Sequence, residues 1–126
     1  MIWGIFLTHG RIGQELLATA EGILGKQPDV ISLSNENLSL SALYDQVNKF
    51  IENIPPQQDI IIFVTLKGGS CWNVACKIAK ERKGVKVISG VNLPMALSFF
   101  TKRNKYPLED LASIVKKDAL RGVNLL

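Results

Sequence analysis

One histidine stands in the chain, His9, at the end of an apolar run in Thr8-His9-Gly10. An imidazole serves as base, as nucleophile or as a charge that follows pH. A single histidine cannot belong to a multi-histidine metal site, and the glycine after it lets another molecule come close. A second group of unusual composition is Lys67-Gly68-Gly69-Ser70. Two glycines free the backbone to aim N–H groups into one concavity, a nest suited to an anion. A helix that begins there adds partial positive charge. Ser70 adds a hydroxyl and Lys67 a full charge. Each group has an ordinary reading as well: a structural histidine, and a turn followed by an N-cap. Together they describe a histidine beside a phosphate cradle. The chain has no G-x-x-x-x-G-K-[ST] and no G-x-G-x-x-G, so a nucleotide site is not expected. A phosphoryl group on His9 would then come from another protein rather than from ATP. Cys71 and Cys76 lack zinc-site spacing and make no disulfide framework. No metal and no cofactor is expected.

These loops need elements that bring them together. Residues 2–7 are short, apolar and rich in strand formers. From Ile12 the period changes, and Ile12, Leu16, Leu17, Ala20, Ile23 and Leu24 form one helical stripe that Gly25 closes. Residues 30–33 make a second strand. Ser39 or Ser41 caps a helix striped by Leu43, Val47, Phe50, Ile51 and Ile54, and Pro55-Pro56 stops it. Residues 60–66 are almost wholly apolar, as a central parallel strand covered on both faces must be. A third helix opens at Gly68-Gly69-Ser70 with Trp72, Ala75, Ile78 and Ala79 inward. Residues 85–88 form a fourth strand. Residues 90–92 turn into a helix with Pro94 near its start, and a last helix begins near Pro107 with Leu111, Ile114 and Val115 inward.

The alternation predicts an α/β fold: an open, mainly parallel sheet with helices on both faces. In such sheets ligands bind beyond the carboxyl ends of the strands, where strand order reverses. If the first and third strands are neighbours, the His9 and Gly68-Gly69-Ser70 loops face each other. Residues 123–126 are apolar and too short to stand alone. They are expected to dock as a possible final strand, on this sheet or on that of a second subunit.

With 126 residues the chain is read as one domain, residues 1–126. Hydrophobic residues make up 47% and charged residues 21%, too apolar for a disordered chain. No 18-residue apolar run is present, so no membrane span is expected. The apolar start has no basic stretch before it, so a signal peptide is not expected either, and the expected location is the cytoplasm. The net charge of +4 admits a nucleic-acid partner. The densest basic stretch, Lys77, Lys80, Arg82, Lys83 and Lys86, has no interleaved aromatics. It reads as a solvated face, with a polyanion or partner-protein patch as the alternative; no nucleic acid is expected.

Three motifs resemble the enzyme IIA domain of the mannose family of the bacterial sugar phosphotransferase system. Thr8-His9-Gly10, followed by Glu15-Leu16-Leu17, Thr19-Ala20-Glu21 and Leu24-Gly25, is similar to that family's opening strand and helix. Gly68-Gly69-Ser70 with Asn73, Ala75 and Ile78 resembles its second active-site loop. Gly90-Val91-Asn92-Leu93-Pro94-Met95 resembles its third signature, and Gly122-Val123 also fits. The resemblance implies a phosphohistidine carrier. His9 would accept a phosphoryl group from the phosphocarrier HPr and pass it to a IIB domain, which phosphorylates the sugar as membrane subunits import it. It also implies a homodimer that exchanges a C-terminal strand, and association with the membrane sugar-transport subunits without insertion into the bilayer. Gly68, Gly69 and Ser70 would hold the phosphoryl oxygens. Thr8, Thr65, Lys67 and Asn92 would orient the histidine or rim the site. The family commonly carries an aspartate where this chain has Thr65, and a threonine can hydrogen-bond but supplies no charge. Two other readings follow: a regulatory or degenerate IIA-like interaction module that carries no sugar flux, and a nucleic-acid binder on the basic face.

Overall fold

A computed structural model describes residues 1–126. The elements run β1 (Trp3–Thr8), α1 (Ile12–Leu24), β2 (Val30–Ser34), α2 (Leu40–Ile51), β3 (Ile60–Val64), α3 (Ser70–Glu81), β4 (Val85–Ile88), α4 (Leu93–Lys102) and α5 (Leu108–Arg121). The four strands form one parallel sheet in the order β2-β1-β3-β4. Gly4 pairs with Val30 on one side and Ile61 on the other, and Ile60 pairs with Val85.

Alternation along the strands splits the core in two. Phe6, Ile61 and Phe63 face α1, α4 and α5, where they meet Ala20, Met95, Phe99, Leu111 and Val115. Ile5, Leu7, Ile60, Ile62 and Val64 face α2 and α3, where they meet Leu43, Val47, Ala75 and Ile78. All five residues of β3 are buried, which is why that stretch is apolar at every position. Phe6 stacks on Phe63 with ring centroids 4.9 Å apart, and Phe99 meets Phe63 edge-on at 5.0 Å. These contacts fix β1 and β3 side by side and hold their carboxyl ends level.

Several boundaries and faces differ from the sequence reading. On α1 only Gly13 and Ala20 are buried, and Ile12 and Ile23 are 47% and 58% exposed. Periodicity sets the angle of a side chain on its helix but not whether anything lies opposite it. On α3 the buried face is Cys71, Val74, Ala75 and Ile78, with Trp72 and Ala79 only half-buried. The strand expected to run to Leu66 ends at Val64, and Leu66 is 64% exposed. There the carbonyls of Val64 and Thr65 accept from the N–H groups of Val91 and Gly90, as the chain leaves the sheet. Of Ser39 and Ser41, Ser39 is the cap: its hydroxyl accepts from the Ala42 N–H at 3.1 Å. Residues 123–126 form no strand in the single chain and are exposed.

Arg103 closes the opposite pole. It is buried at the end of α4, stacked over Phe99 and Phe100. Its guanidinium donates to the Pro28 carbonyl at 2.7 Å, and to Ile2, Asp29 and Gln27 oxygens at 3.4 Å. Burial lowers its pKa, with nearby Asp29 acting in the opposite direction. One cation thus ties α4 to the chain entering β1 and β2.

Candidate functional site

From β1 the chain crosses first to β2, then back past β1 to β3 and on to β4. Strand order therefore reverses between β1 and β3, and the loops leaving their carboxyl ends, residues 9–11 and 65–69, flank that point. Both lead into helices, so α1 and α3 begin at this pole, on opposite faces of the sheet, and their N-termini bring partial positive charge to it.

Thr8 sets the first loop. Its buried hydroxyl accepts from the Gly13 N–H at 2.7 Å and anchors the first turn of α1. His9 follows, half-buried. Its backbone N–H donates to Thr65 Oγ1 at 3.1 Å, and its ring Nδ1 lies 3.2 Å from the same oxygen. The Thr65 hydroxyl thus holds both the main chain and the inner ring nitrogen of His9. The outer edge of the ring lies against Gly69. A Cβ on residue 69 would stand 3.0 Å from Cε1 and 3.3 Å from Nε2, so a side chain there would push the ring aside.

Gly68 turns the second loop with φ of +87°, a conformation costly for any residue with a Cβ. The nest differs from its sequence reading in one detail. The Gly69 N–H is spent inside the turn, donating to the Leu66 carbonyl at 3.2 Å. The N–H groups of Gly68 and Ser70 have no partner within the chain and remain for a ligand. Ser70 is the first residue of α3, and its hydroxyl accepts from Asn35 Nδ2 at 3.2 Å. Behind it, burial pushes the Cys71 thiol up, against smaller lowering from Ser70 and its own backbone N–H. Cys71 is therefore a protonated, inert core group.

Two residues expected near the histidine have other surroundings. Asn92 is occupied with structure: its Oδ1 caps α4 by accepting from Met95 N–H at 2.9 Å, and its Nδ2 donates to the Ala119 carbonyl at 3.2 Å. These bonds use one Nδ2 hydrogen and one Oδ1 lone pair, and the residue lines the groove beside β4 and α5. Lys67 is exposed and lines a groove along β4 and α5, together with Trp72, Lys86, Asn92 and Lys116. No ion pair holds it.

Asn35 was not singled out from the sequence. It follows the last residue of β2, and its Oδ1 accepts from the Gly10 N–H at 3.3 Å while its Nδ2 reaches Ser70. Its own N–H donates to the Thr8 carbonyl at 3.2 Å. The available signal was topological. All strands of a parallel sheet end at one pole, so the loop after β2 joins the other two there.

The arrangement places a histidine ring beside a glycine loop that carries unpaired backbone N–H groups, a serine hydroxyl and a helix N-terminus. Groups of these kinds can hold a tetrahedral anion.

Residues 5–116 match the family model described as "PTS system fructose IIA component". The chain is 29% identical over 123 residues to the PTS system mannose-specific EIIAB component of Escherichia coli (strain K12), covering 94% of this chain and 38% of that protein. It thus spans well under half the length of that relative. It is 25% identical over 117 residues to the PTS system fructose-specific EIIA component of Bacillus subtilis (strain 168), covering 92% of this chain and 80% of that one. Among solved structures, the phosphotransferase system component EIIA from Streptococcus agalactiae shares the fold. Its TM-score is 0.92 at 24% identity, over 99% of this chain and 97% of that one. The chain belongs to the mannose-family IIA domains of the sugar phosphotransferase system.

Proposed function

We propose that the chain is a phosphohistidine carrier that accepts a phosphoryl group from HPr on His9 and passes it to a IIB domain for sugar uptake. The observation that carries this reading is the way the ring is held. Nδ1 is engaged by Thr65, and Nε2 lies along Gly69 at the start of α3. With its proton on Nδ1, the ring donates to Thr65 Oγ1 and leaves a lone pair on Nε2. That lone pair attacks the phosphorus of the phosphorylated donor. The new P–N bond forms as the donor's bond to phosphorus breaks, and the departing electron pair returns to the donor. Charge spreads over the three equatorial oxygens during the transfer. The free N–H groups of Gly68 and Ser70 and the Ser70 hydroxyl stabilise it, as oxyanion donors do. Passing the group to IIB is the same step in reverse, with IIB as the nucleophile.

The partners follow from this chemistry: HPr as donor, IIB as acceptor, and through IIB the membrane subunits that select the sugar. No helix of the chain is long and apolar enough to cross a membrane. A second copy completes the assembly. β4 is an edge strand beside an open groove, and Val123 and Leu125 are exposed. The tail of one chain docking on the sheet of another covers both, giving a homodimer.

The test is incubation with enzyme I, HPr and phosphoenolpyruvate, followed by intact-mass measurement. The expected result is one added phosphoryl group, absent from His9→Ala. Labelling that persists in His9→Ala refutes the assignment of the nucleophile. Absence of labelling in the unaltered protein refutes the carrier reading.

A further inference from the structure

The loop after β2 supplies a residue that the phosphoryl-transfer chemistry described above leaves unused. We propose that Asn35 is a positioning residue that turns the Ser70 hydroxyl into an obligate donor toward the phosphoryl group. The inference rests on the carrier reading and adds a direction of hydrogen bonding to it. The Gly10 N–H can only donate, so the Asn35 atom 3.3 Å from it must be the carbonyl oxygen. The other end of that amide is then NH₂, which can only donate, and it lies 3.2 Å from Ser70 Oγ. Ser70 Oγ must therefore accept from Asn35. A hydroxyl has one hydrogen, and here it is not used on Asn35. It is free to point away, toward whatever sits over the N-terminus of α3. Within the chain its alternative acceptor is the neighbouring Cys71 sulfur, a weak one.

The result is a chain of fixed polarity: Gly10 N–H to Asn35 carbonyl, Asn35 amide to Ser70 oxygen, Ser70 hydrogen to a phosphoryl oxygen. Each bond polarises the next and strengthens the last one. The same amide ties the residue after His9 to the first residue of α3, so nucleophile and cradle are held by one side chain. The Asn35 N–H donates to the Thr8 carbonyl, which fixes the base of that side chain beside β1. No bond is made or broken at Asn35. It acts only through Ser70 and Gly10.

A double-mutant cycle separates this role from a merely structural one. The rate of His9 phosphorylation is measured for the unaltered protein, Asn35→Ala, Ser70→Ala and the double variant. The donors are phospho-HPr and, separately, phosphoramidate, which needs no protein partner. Ser70→Ala should slow transfer by roughly 10- to 100-fold, since it removes one oxyanion donor. Asn35→Ala should slow it by about 3- to 10-fold, and in kcat rather than in KM for phospho-HPr. In the Ser70→Ala background Asn35→Ala should cost clearly less than it does alone, the remainder being the lost hold on Gly10. Asn35→Asp gives a second reading. Its carboxylate still accepts from Gly10 but cannot donate to Ser70, so it captures the serine hydrogen. It should slow transfer about as much as Ser70→Ala, and adding Ser70→Ala should then cost little more. Thermal denaturation confirms that each variant folds. Rates that multiply in the double variants, or an Asn35→Asp protein that transfers at the unaltered rate, overturn the inference while leaving the carrier reading in place. Absence of label on the unaltered protein from either donor removes both. Label from phosphoramidate alone removes only HPr as the donor, and the cycle is then read with phosphoramidate.

Discussion

Thr65 carries the residue-scale account, because one hydroxyl serves two donor groups of His9. Its oxygen accepts from the His9 backbone N–H, and its second lone pair can accept from Nδ1–H. Its own hydrogen could instead be given to a bare Nδ1, which would leave the proton on Nε2 and block attack. A carboxylate has no hydrogen to give and holds one tautomer only. Thr65→Asp should therefore raise the fraction of ring with a free Nε2 and quicken transfer from phospho-HPr by up to about tenfold, or about 1.4 kcal/mol of barrier. Repulsion between the new carboxylate and the arriving phosphoryl group sets that ceiling. Ring ¹⁵N shifts report the tautomer and rapid-quench labelling the rate. Slower transfer in Thr65→Asp would show instead that the threonine site is adapted as it stands. At this scale the sequence was informative where residue type alone limits chemistry, as at His9 and Gly68-Gly69-Ser70. At Asn92 it did not show the structural duty of the side chain, whose amide caps α4 and bonds the end of α5. Asn35 was invisible because an asparagine after a strand reads as any turn residue until strand order shows what it faces.

At the scale of elements, the helices are fastened at the pole away from the histidine by Arg103 and at one flank by Asp118. Arg103 satisfies carbonyls of the segments entering β1 and β2. Hydrogen bonds to a charged group are worth about 1.5–3 kcal/mol. Arg103→Met should thus destabilise the fold by about 2–4 kcal/mol in urea denaturation, while the fraction that remains folded labels His9 at the unaltered rate. Lysine should rescue poorly, since it lacks the planar fork that reaches several carbonyls. A denaturation midpoint unchanged in Arg103→Met would contradict this. Asp118 joins α5 to α4. Hydrogen bonds from Lys102, then from Ser98, hold its carboxyl below the usual carboxylate range. The unfolded chain then binds the proton more readily than the native one. The stability Asp118 adds is present above its unfolded pKa and is lost as pH falls through the lower native value. Asp118→Asn should flatten the fall in melting temperature on acidification below about pH 4. An identical acid profile would contradict that pairing. Element order and most caps were legible from period and turn residues. The exposed turns of α1 were not, because a stripe records an angle and not its surroundings. Arg103 escaped notice because a cation near a helix end reads as solvated unless long-range packing covers it.

For the whole molecule, the sheet order β2-β1-β3-β4 is what makes a site of two separate loops. An alternating β-α pattern predicts a parallel sheet, but the neighbours of each strand depend on which helix covers which face. That order also leaves β4 at an edge, next to a groove lined by Trp72, Val87, Ile88 and Leu120. If residues 122–126 of a second copy dock on this sheet, deleting them should shift sedimentation from dimer to monomer or aggregate. An unchanged profile would sink the dimer proposal but leave the chemistry of His9 intact. That chemistry is tested most directly by locating the phosphoryl group on the ring. The protein is phosphorylated by phospho-HPr and studied under alkaline conditions by ³¹P–¹⁵N correlation NMR. With Nδ1 held by Thr65 and Nε2 along Gly69, the account predicts a single phosphoryl group bonded to His9 Nε2. A phosphoryl group on Nδ1, or on any residue other than His9, would contradict it.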